Sequence, residues 1–166
     1  MAALKKKGNL AELRVAADLV ARGCEISIPF GEDCSYDLIA DFEGRLHRVQ
    51  VKSANSDGRV VCVKCYSHSL TGGKIRSTKH YTAAMVDWVA TYDLTTDCCY
   101  YVPSWILGAD GRSQLMLRLT PTLNGQSLRI RPAEDYVNPD FSRDPSVEPA
   151  GIEPATFRMQ TERSAS

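Results

Sequence analysis

"SYDLIADFEGRLHRVQVKSA", residues 35–54, is the stretch on which the fold turns. Two alternating runs, 36–42 and 46–54, flank Glu43-Gly44, a pair suited to a tight turn, so the stretch reads as an antiparallel hairpin. Side chains two apart share a face of a strand. Gln50 and Lys52 therefore point one way with Arg48 behind them, while Val49 and Val51 point the other way into a core. On the first strand Asp37 and Ile39 share a face, and Tyr36 and Leu38 take the opposite one. Counted around the turn, Asp37 falls near Gln50 and Lys52 at the same end of adjacent strands.

An acid, an amide and a lysine gathered at one end of a hairpin suit metal-assisted phosphodiester hydrolysis. That chemistry needs a water made nucleophilic, a cation to neutralise the phosphate and a group to stabilise developing charge. Mg2+ prefers hard oxygen ligands, one or two of them carboxylates, with waters completing its shell. Asp37 is the principal ligand candidate, with the Gln50 amide oxygen and the Val51 backbone carbonyl as auxiliaries. Lys52 is placed to orient or deprotonate the attacking water, or to stabilise charge at the phosphate. Glu12, upstream, offers a second carboxylate through water. A neutral amide binds Mg2+ more weakly than a carboxylate, so Gln50 is expected to lower affinity without abolishing the site.

Outward from the hairpin, residues 8–22 place Leu10, Leu13, Ala17 and Val20 at helical spacing, with Gly23 as a stop. Glu12 lies beside that stripe. Residues 24–30 predict a short strand ended by Pro29, and 57–67 a further strand. The segment 69–80 reads as flexible and basic, followed by a short helix near 81–85 and strands over 88–92 and 98–107. Residues 114–137 read as paired short strands and one helical turn. The last stretch, 138–166, holds four prolines and little periodicity, and is expected to be a mostly disordered tail behind a domain spanning 1–137. Together these elements predict an α/β fold with a central mixed sheet flanked by helices.

Lys and Arg balance Asp and Glu at 20 each, yet the positive charge is concentrated in the first half of the chain. Lys5, Lys6 and Lys7 form one local cluster, and Lys74, Arg76, Lys79 and His80 another. Local potential is what attracts a phosphate backbone, so these residues, with Arg48, are the expected DNA contacts. No apolar run is long enough to span a membrane, and the first residues lack a secretory pattern. The expectation is a cytoplasmic chain with reduced thiols. Cys62 and Cys65 suggest zinc by spacing, but a strand sends them to opposite faces and packing is the better reading. Trp88, Tyr92, Tyr100, Tyr101 and Trp105 sit in apolar contexts and read as core.

Several motifs recur together: Lys7-Gly8 with Glu12, Gly23 with Pro29, Tyr36-Asp37-Leu38, and Gln50-Val51-Lys52. With "VDWVATYDLTTDCCYYVP" and "LNGQSLRIRPAEDY" they make residues 5–137 resemble the PD-(D/E)XK (restriction-endonuclease-like) nuclease superfamily. The branch most similar holds intron-encoded homing endonucleases and Holliday-junction-resolvase-like proteins. The resemblance implies a catalytic centre of Glu12, Asp37, Gln50 and Lys52 that hydrolyses double-stranded DNA with Mg2+, Mn2+ substituting. Gln50 stands where most members carry Asp or Glu, a variation also seen in the homing branch. It further implies a homo-oligomer, dimer or tetramer, a mobile-element setting, and no membrane or small-molecule cofactor. Three alternatives stay open: a junction-resolving or repair nuclease, a DNA-binding protein that has lost catalysis, and a structural or interaction protein.

Overall fold

The computed structural model describes residues 2–31, 34–122 and 130–150, with the side chains of residues 2–4 and 70 outside the description. Helix α1 (Ala2–Ala21) leads into β1 (Glu25–Ser27), β2 (Leu38–Phe42) and β3 (Arg45–Ala54). Then come β4 (Val60–Lys64), β5 (Tyr66–Thr71), β6 (Lys74–His80), β7 (Trp88–Asp93), β8 (Cys98–Pro103) and β9 (Gln114–Arg118). Short 3-10 turns occupy Ser104–Leu107 and Ala133–Tyr136.

The central sheet runs β1-β2-β3-β7-β8, and it is mixed because β3 pairs antiparallel with β2 and parallel with β7. β4 with β9 and β5 with β6 form two small antiparallel sheets. The α/β architecture with a central mixed sheet is the one the sequence predicts. Glu43 and Gly44 both take positive φ (52° and 81°), the geometry of a two-residue hairpin turn. The Asp41 carboxylate accepts the Gly44 N–H at 2.8 Å and closes it. Leu38 then faces Val49 across the pair, so Asp37 arrives opposite Gln50.

One α-helix covers the sheet, among the described residues, rather than the several expected. It begins six residues before the predicted start and carries Gly8 inside it, where glycine costs about 1 kcal/mol relative to alanine. Its end is as read: Gly23 has φ 89°, and the Cys24 and Gly23 amides donate to the Leu19 and Val20 carbonyls at 3.1 and 3.0 Å. The buried row is Ala11, Val15 and Leu19, not the predicted stripe. Leu10, Leu13 and Val20 remain 40 %, 71 % and 57 % exposed. Both rows satisfy helical spacing, and the sheet selects the one whose small Ala11 lets the helix approach Val49, Val51, Trp88 and Ala90. Burying Val15 and Leu19 contributes about 1.5–3 kcal/mol each.

Two local expectations are corrected. Residues 69–80 are not a flexible loop but most of the β5–β6 ribbon, turned at Gly72 and Gly73, both with positive φ. Residues 81–85 make no helix; a single turn, Val86 N–H to the Thr82 carbonyl at 3.1 Å, joins the ribbon to β7. No described helix is long and apolar enough to cross a membrane.

The predicted tail divides at residue 150. Residues 138–150 are docked, while 151–166 lie outside the described residues. Phe141 is 4 % exposed and sits in the core against Phe42, His47, Trp88 and Tyr101. The Pro145 carbonyl accepts the Trp105 N–H at 2.9 Å and the Ser104 hydroxyl at 3.0 Å. His47 beneath this strap is fully buried. Its Nδ1 accepts the Trp88 indole N–H at 3.2 Å, which leaves Nε2 to donate to the Phe141 carbonyl at 2.9 Å.

Burial pushes the His47 pKa below the ordinary histidine value, against the pull of its bond to Phe141. A folded pKa below the unfolded one means the neutral ring stabilises fully above about pH 6.5, and that stability is lost as pH falls through the folded value. Melting temperature should therefore drop on acidification below about pH 6.5. The drop should be smaller in His47→Gln, and identical pH profiles in the two proteins would remove His47 as its cause.

Candidate active site

Asp37 is fixed at the entrance to β2 by its own N–H, which donates to the Val49 carbonyl at 2.9 Å. Its carboxylate accepts the Val51 N–H at 2.7 Å and the Gln50 side-chain N–H. Gln50 is 7 % exposed, and the same amide nitrogen lies 3.2 Å from the Val51 carbonyl, as donor. A carboxylate oxygen and a backbone carbonyl thus converge on one donor, at the place where the sequence reading puts a cation.

The electrostatics agree with a partly desolvated acid. Burial raises the Asp37 pKa, opposed by the Val51 N–H, the Lys52 charge and the Gln50 amide. Glu12, on the exposed flank of α1, is raised by its own desolvation and then by repulsion from Asp37, so the two carboxylates feel each other. The hairpin and the helix therefore bring Glu12, Asp37, Gln50 and Lys52 to one end of the sheet.

Lys52 follows Gln50 on the same face of β3, half-buried. Its ammonium lies 5.1 Å from the centre of the Tyr81 ring, a cation–π contact. Thr91, paired with Lys52 on the parallel strand β7, is fully buried, and its hydroxyl has no hydrogen-bond partner. Thr91 is not marked by the sequence. Tyr81 directly follows the basic segment and is the detectable one, whereas Thr91 depends on a strand register that the sequence does not carry.

The two oxygens that converge here, the Asp37 carboxylate and the Val51 carbonyl, are hard ligands of the kind Mg2+ and Mn2+ prefer, and Gln50, whose nitrogen faces them, would add its oxygen only with the side-chain amide turned over. Among the described residues no three His, Cys, Asp or Glu side chains gather as a metal cluster. A cation here would rest on one direct carboxylate, Glu12 through water, and neutral oxygens.

The expected DNA contacts divide. Lys5, Lys6 and Lys7 are exposed on the first turns of α1, and Lys74, Arg76 and Lys79 are exposed on β6. His80 is half-buried at the foot of β6. Arg48 is otherwise engaged. Its guanidinium holds Asp87 at 2.8 and 3.0 Å and the Ala83 and Ala84 carbonyls at 3.0 and 2.7 Å. Arg48 is therefore a structural clamp between β3 and the turn before β7. Arg48→Ala should cost about 2–3 kcal/mol, the scale of charge-assisted hydrogen bonds, in a denaturant titration. It should leave the salt dependence of DNA binding unchanged, and a shallower salt slope would return Arg48 to the DNA surface.

A cleft of about 350 Å³ lies elsewhere, between α1 and the β7–β8 turn. Its polar groups already satisfy one another: Arg22 with Asp18 at 2.8 Å, Arg14 with Asp97 at 3.7 Å, and Tyr92 with Asp97 at 2.7 Å. It leaves no convergent set of free donors.

Comparison with known proteins agrees with the fold. The family profile described as PD-(D/E)XK endonuclease matches residues 2–139. A solved structure of a bacterial homing endonuclease, I-Ssp6803I, is similar at 25 % sequence identity with a TM-score of 0.62, over 80 % of this chain and 86 % of that one. No curated protein sequence matches the chain.

Proposed function

The chain belongs to the PD-(D/E)XK endonuclease family, and from that premise we propose that it cuts double-stranded DNA by Mg2+-assisted hydrolysis at the Asp37–Lys52 end of the sheet. The observation that carries the reading is the convergence of the Asp37 carboxylate and the Val51 carbonyl on one point, with Lys52 beside them. Asp37 and Val51 would hold the cation directly, Gln50 through its oxygen once the amide turns over, and Glu12 through water. When bound, the ion would neutralise phosphate charge and make a water more acidic. Lys52 orients the attacking water and stabilises charge that develops on the phosphate. Tyr81 holds the lysine head in place through its ring face. In the metal-free state Gln50 keeps the two would-be ligand oxygens together by donating to both.

Lys5, Lys6 and Lys7 on α1 and the β6 cations would contact the DNA backbone. A homing-type role in a mobile element agrees with the likeness to I-Ssp6803I. The outward face of α1, with Leu10, Leu13 and Val20 exposed, supports packing against another copy, so a homo-oligomer is expected on sedimentation.

Two experiments test the proposal. Gln50→Glu should bind Mg2+ about tenfold tighter in calorimetry, some 1.4 kcal/mol, because a second carboxylate replaces an amide. Unchanged affinity would mean that residue 50 does not face the ion. Linear duplex and four-way junctions should then be offered to the wild type side by side. Preferential cleavage of the duplex supports the homing reading, and preferential cleavage of the junction would replace it with a resolving nuclease.

A further inference from the structure

The β5–β6 ribbon has two chemically different faces. Residues directly opposite one another share a face, and the pairs are Ser67 with Lys79, Ser69 with Ser77, and Thr71 with Lys74. That face carries hydroxyls and lysines alone. The other face pairs Tyr66 with His80 and His68 with Thr78, and it is where rings gather: Tyr66 lies 4.7 Å from His68 and 6.4 Å from His80 between ring centres. His68 Nδ1 is bonded to the Thr78 hydroxyl at 2.9 Å, and beyond the rings the same face carries Ile75, 60 % exposed, opposite residue 70.

The ribbon's mounting says which face looks toward the active site. The Lys79 ammonium donates to the Ser35 hydroxyl at 2.7 Å, two residues before Asp37. At the foot of the ring face, Gly111 packs so close to His80 and Tyr81 that an added Cβ would lie 2.7 Å from His80 Cβ and from the Tyr81 carbonyl. The ring face is thus turned against the body at its root, and the hydroxyl–lysine face lies on the Asp37 side. The root itself is rigid: the Tyr81 N–H donates to the buried Cys65 carbonyl at 2.9 Å, and the Tyr81 ring lies under Lys52.

One residue has no partner across the ribbon. Ser77 pairs with Ser69 and Ile75 with residue 70, which leaves Arg76 as the extra residue of a β-bulge. A bulge bends its strand and re-aims the side chain at that position. The side chain here is an exposed guanidinium, the group best matched to two acceptors on a guanine edge. A two-stranded ribbon fits the major groove of B-DNA. Its longer strand, seven residues at about 3.3 Å each, reaches roughly 23 Å, or about seven base pairs.

We propose that the β5–β6 ribbon lies in the major groove next to the cut site with its hydroxyl–lysine face down, Arg76 reading a guanine and Lys74 and Lys79 gripping phosphates. His80 is removed from the recognition surface, and Ser67, Ser69, Thr71 and Ser77 join it. The inference rests on the nuclease reading above, naming how that site chooses its DNA.

The test uses the full chain, Ca2+ in place of Mg2+, and a pool of linear duplexes with a randomised central tract. Wild type should select a sequence motif. Arg76→Ala should lose a G·C preference at one position of each half-site, with about 10- to 100-fold weaker binding to the wild-type motif. Arg76→Lys should lose the same preference while keeping the salt slope. Lys79→Ala should weaken all duplexes alike and lower that slope by about one. His68→Ala, on the ring face, should change neither. Double-stranded RNA, whose deep narrow groove excludes a ribbon, should not compete. An unchanged motif in Arg76→Ala, a motif lost in His68→Ala, or equal competition by RNA overturns the ribbon assignment while leaving the nuclease reading in place. A wild type with no salt-dependent duplex binding overturns both.

Discussion

Lys52→Ala is expected to slow DNA cleavage about a thousandfold while the protein stays folded and binds DNA. A group that orients the nucleophile or stabilises charge in the transition state contributes on the order of 10²–10⁴ in rate. A thousandfold is about 4 kcal/mol of barrier. The structural cost is far smaller. The half-exposed lysine gives up one cation–π contact with Tyr81, worth about 0.5–1 kcal/mol near a surface. The two magnitudes separate function from folding: single-turnover rate should collapse while melting temperature moves by a few degrees at most. Thr91 sharpens the expectation, because its unpaired buried hydroxyl beside Lys52 leaves a polar environment in the variant. A variant that unfolds, or that cleaves within tenfold of wild type, would take Lys52 out of the mechanism.

The largest stability effect is expected at Phe141. Its ring stands 5.3 Å from Trp88, 5.5 Å from His47, and 6.0 Å from both Phe42 and Tyr101, measured between ring centres. Phe141→Ala opens a cavity in the main core and should cost about 3–5 kcal/mol. For a domain of this size that lowers the melting temperature by roughly 10 °C. It also loosens the lid over His47 and hydrates the ring, which moves its pKa back toward the ordinary value, so the acid sensitivity described above should shrink. The candidate active site lies farther along β3, so cleavage at low temperature should be little affected. A change below about 1 kcal/mol would mean that the strap is not docked in solution.

The contrast between these two residues shows what the sequence carries. Asp37, Gln50 and Lys52 were legible because strand alternation has a period of two and the Glu43-Gly44 turn fixes the register. Phe141 was not, because it anchors a strap that follows no regular period, and one buried ring among prolines and aspartates leaves no pattern to read. The helix gave an ambiguous answer for a related reason. Leu10, Leu13 and Val20 are larger and more apolar than Ala11, yet packing on a sheet rewards the small residue at the closest approach. The ribbon was hidden by its composition, since hydroxyls, lysines and Gly72-Gly73 look like a linker until cross-strand pairing is known. Arg48 looked like a free cation because its partner, Asp87, is 39 residues away.

Gln50 places an amide where the proposed chemistry would otherwise draw on a second carboxylate. Its amide nitrogen donates to both Asp37 and Val51, keeping two oxygens in place that would otherwise repel. A carboxylate at residue 50 would place a second negative charge beside Asp37, whose pKa burial already raises. The amide therefore suits a centre that must remain assembled without its cation, with weaker metal affinity as the cost.

The most direct test of the central claim is cleavage of a plasmid carrying the gene's own flanking DNA, with Mg2+ or with a chelator, by wild type beside Asp37→Asn. The account predicts discrete products from wild type with Mg2+ alone, and none from Asp37→Asn under either condition. Cleavage that persists in chelator, or that survives in Asp37→Asn at the wild-type rate, would contradict it.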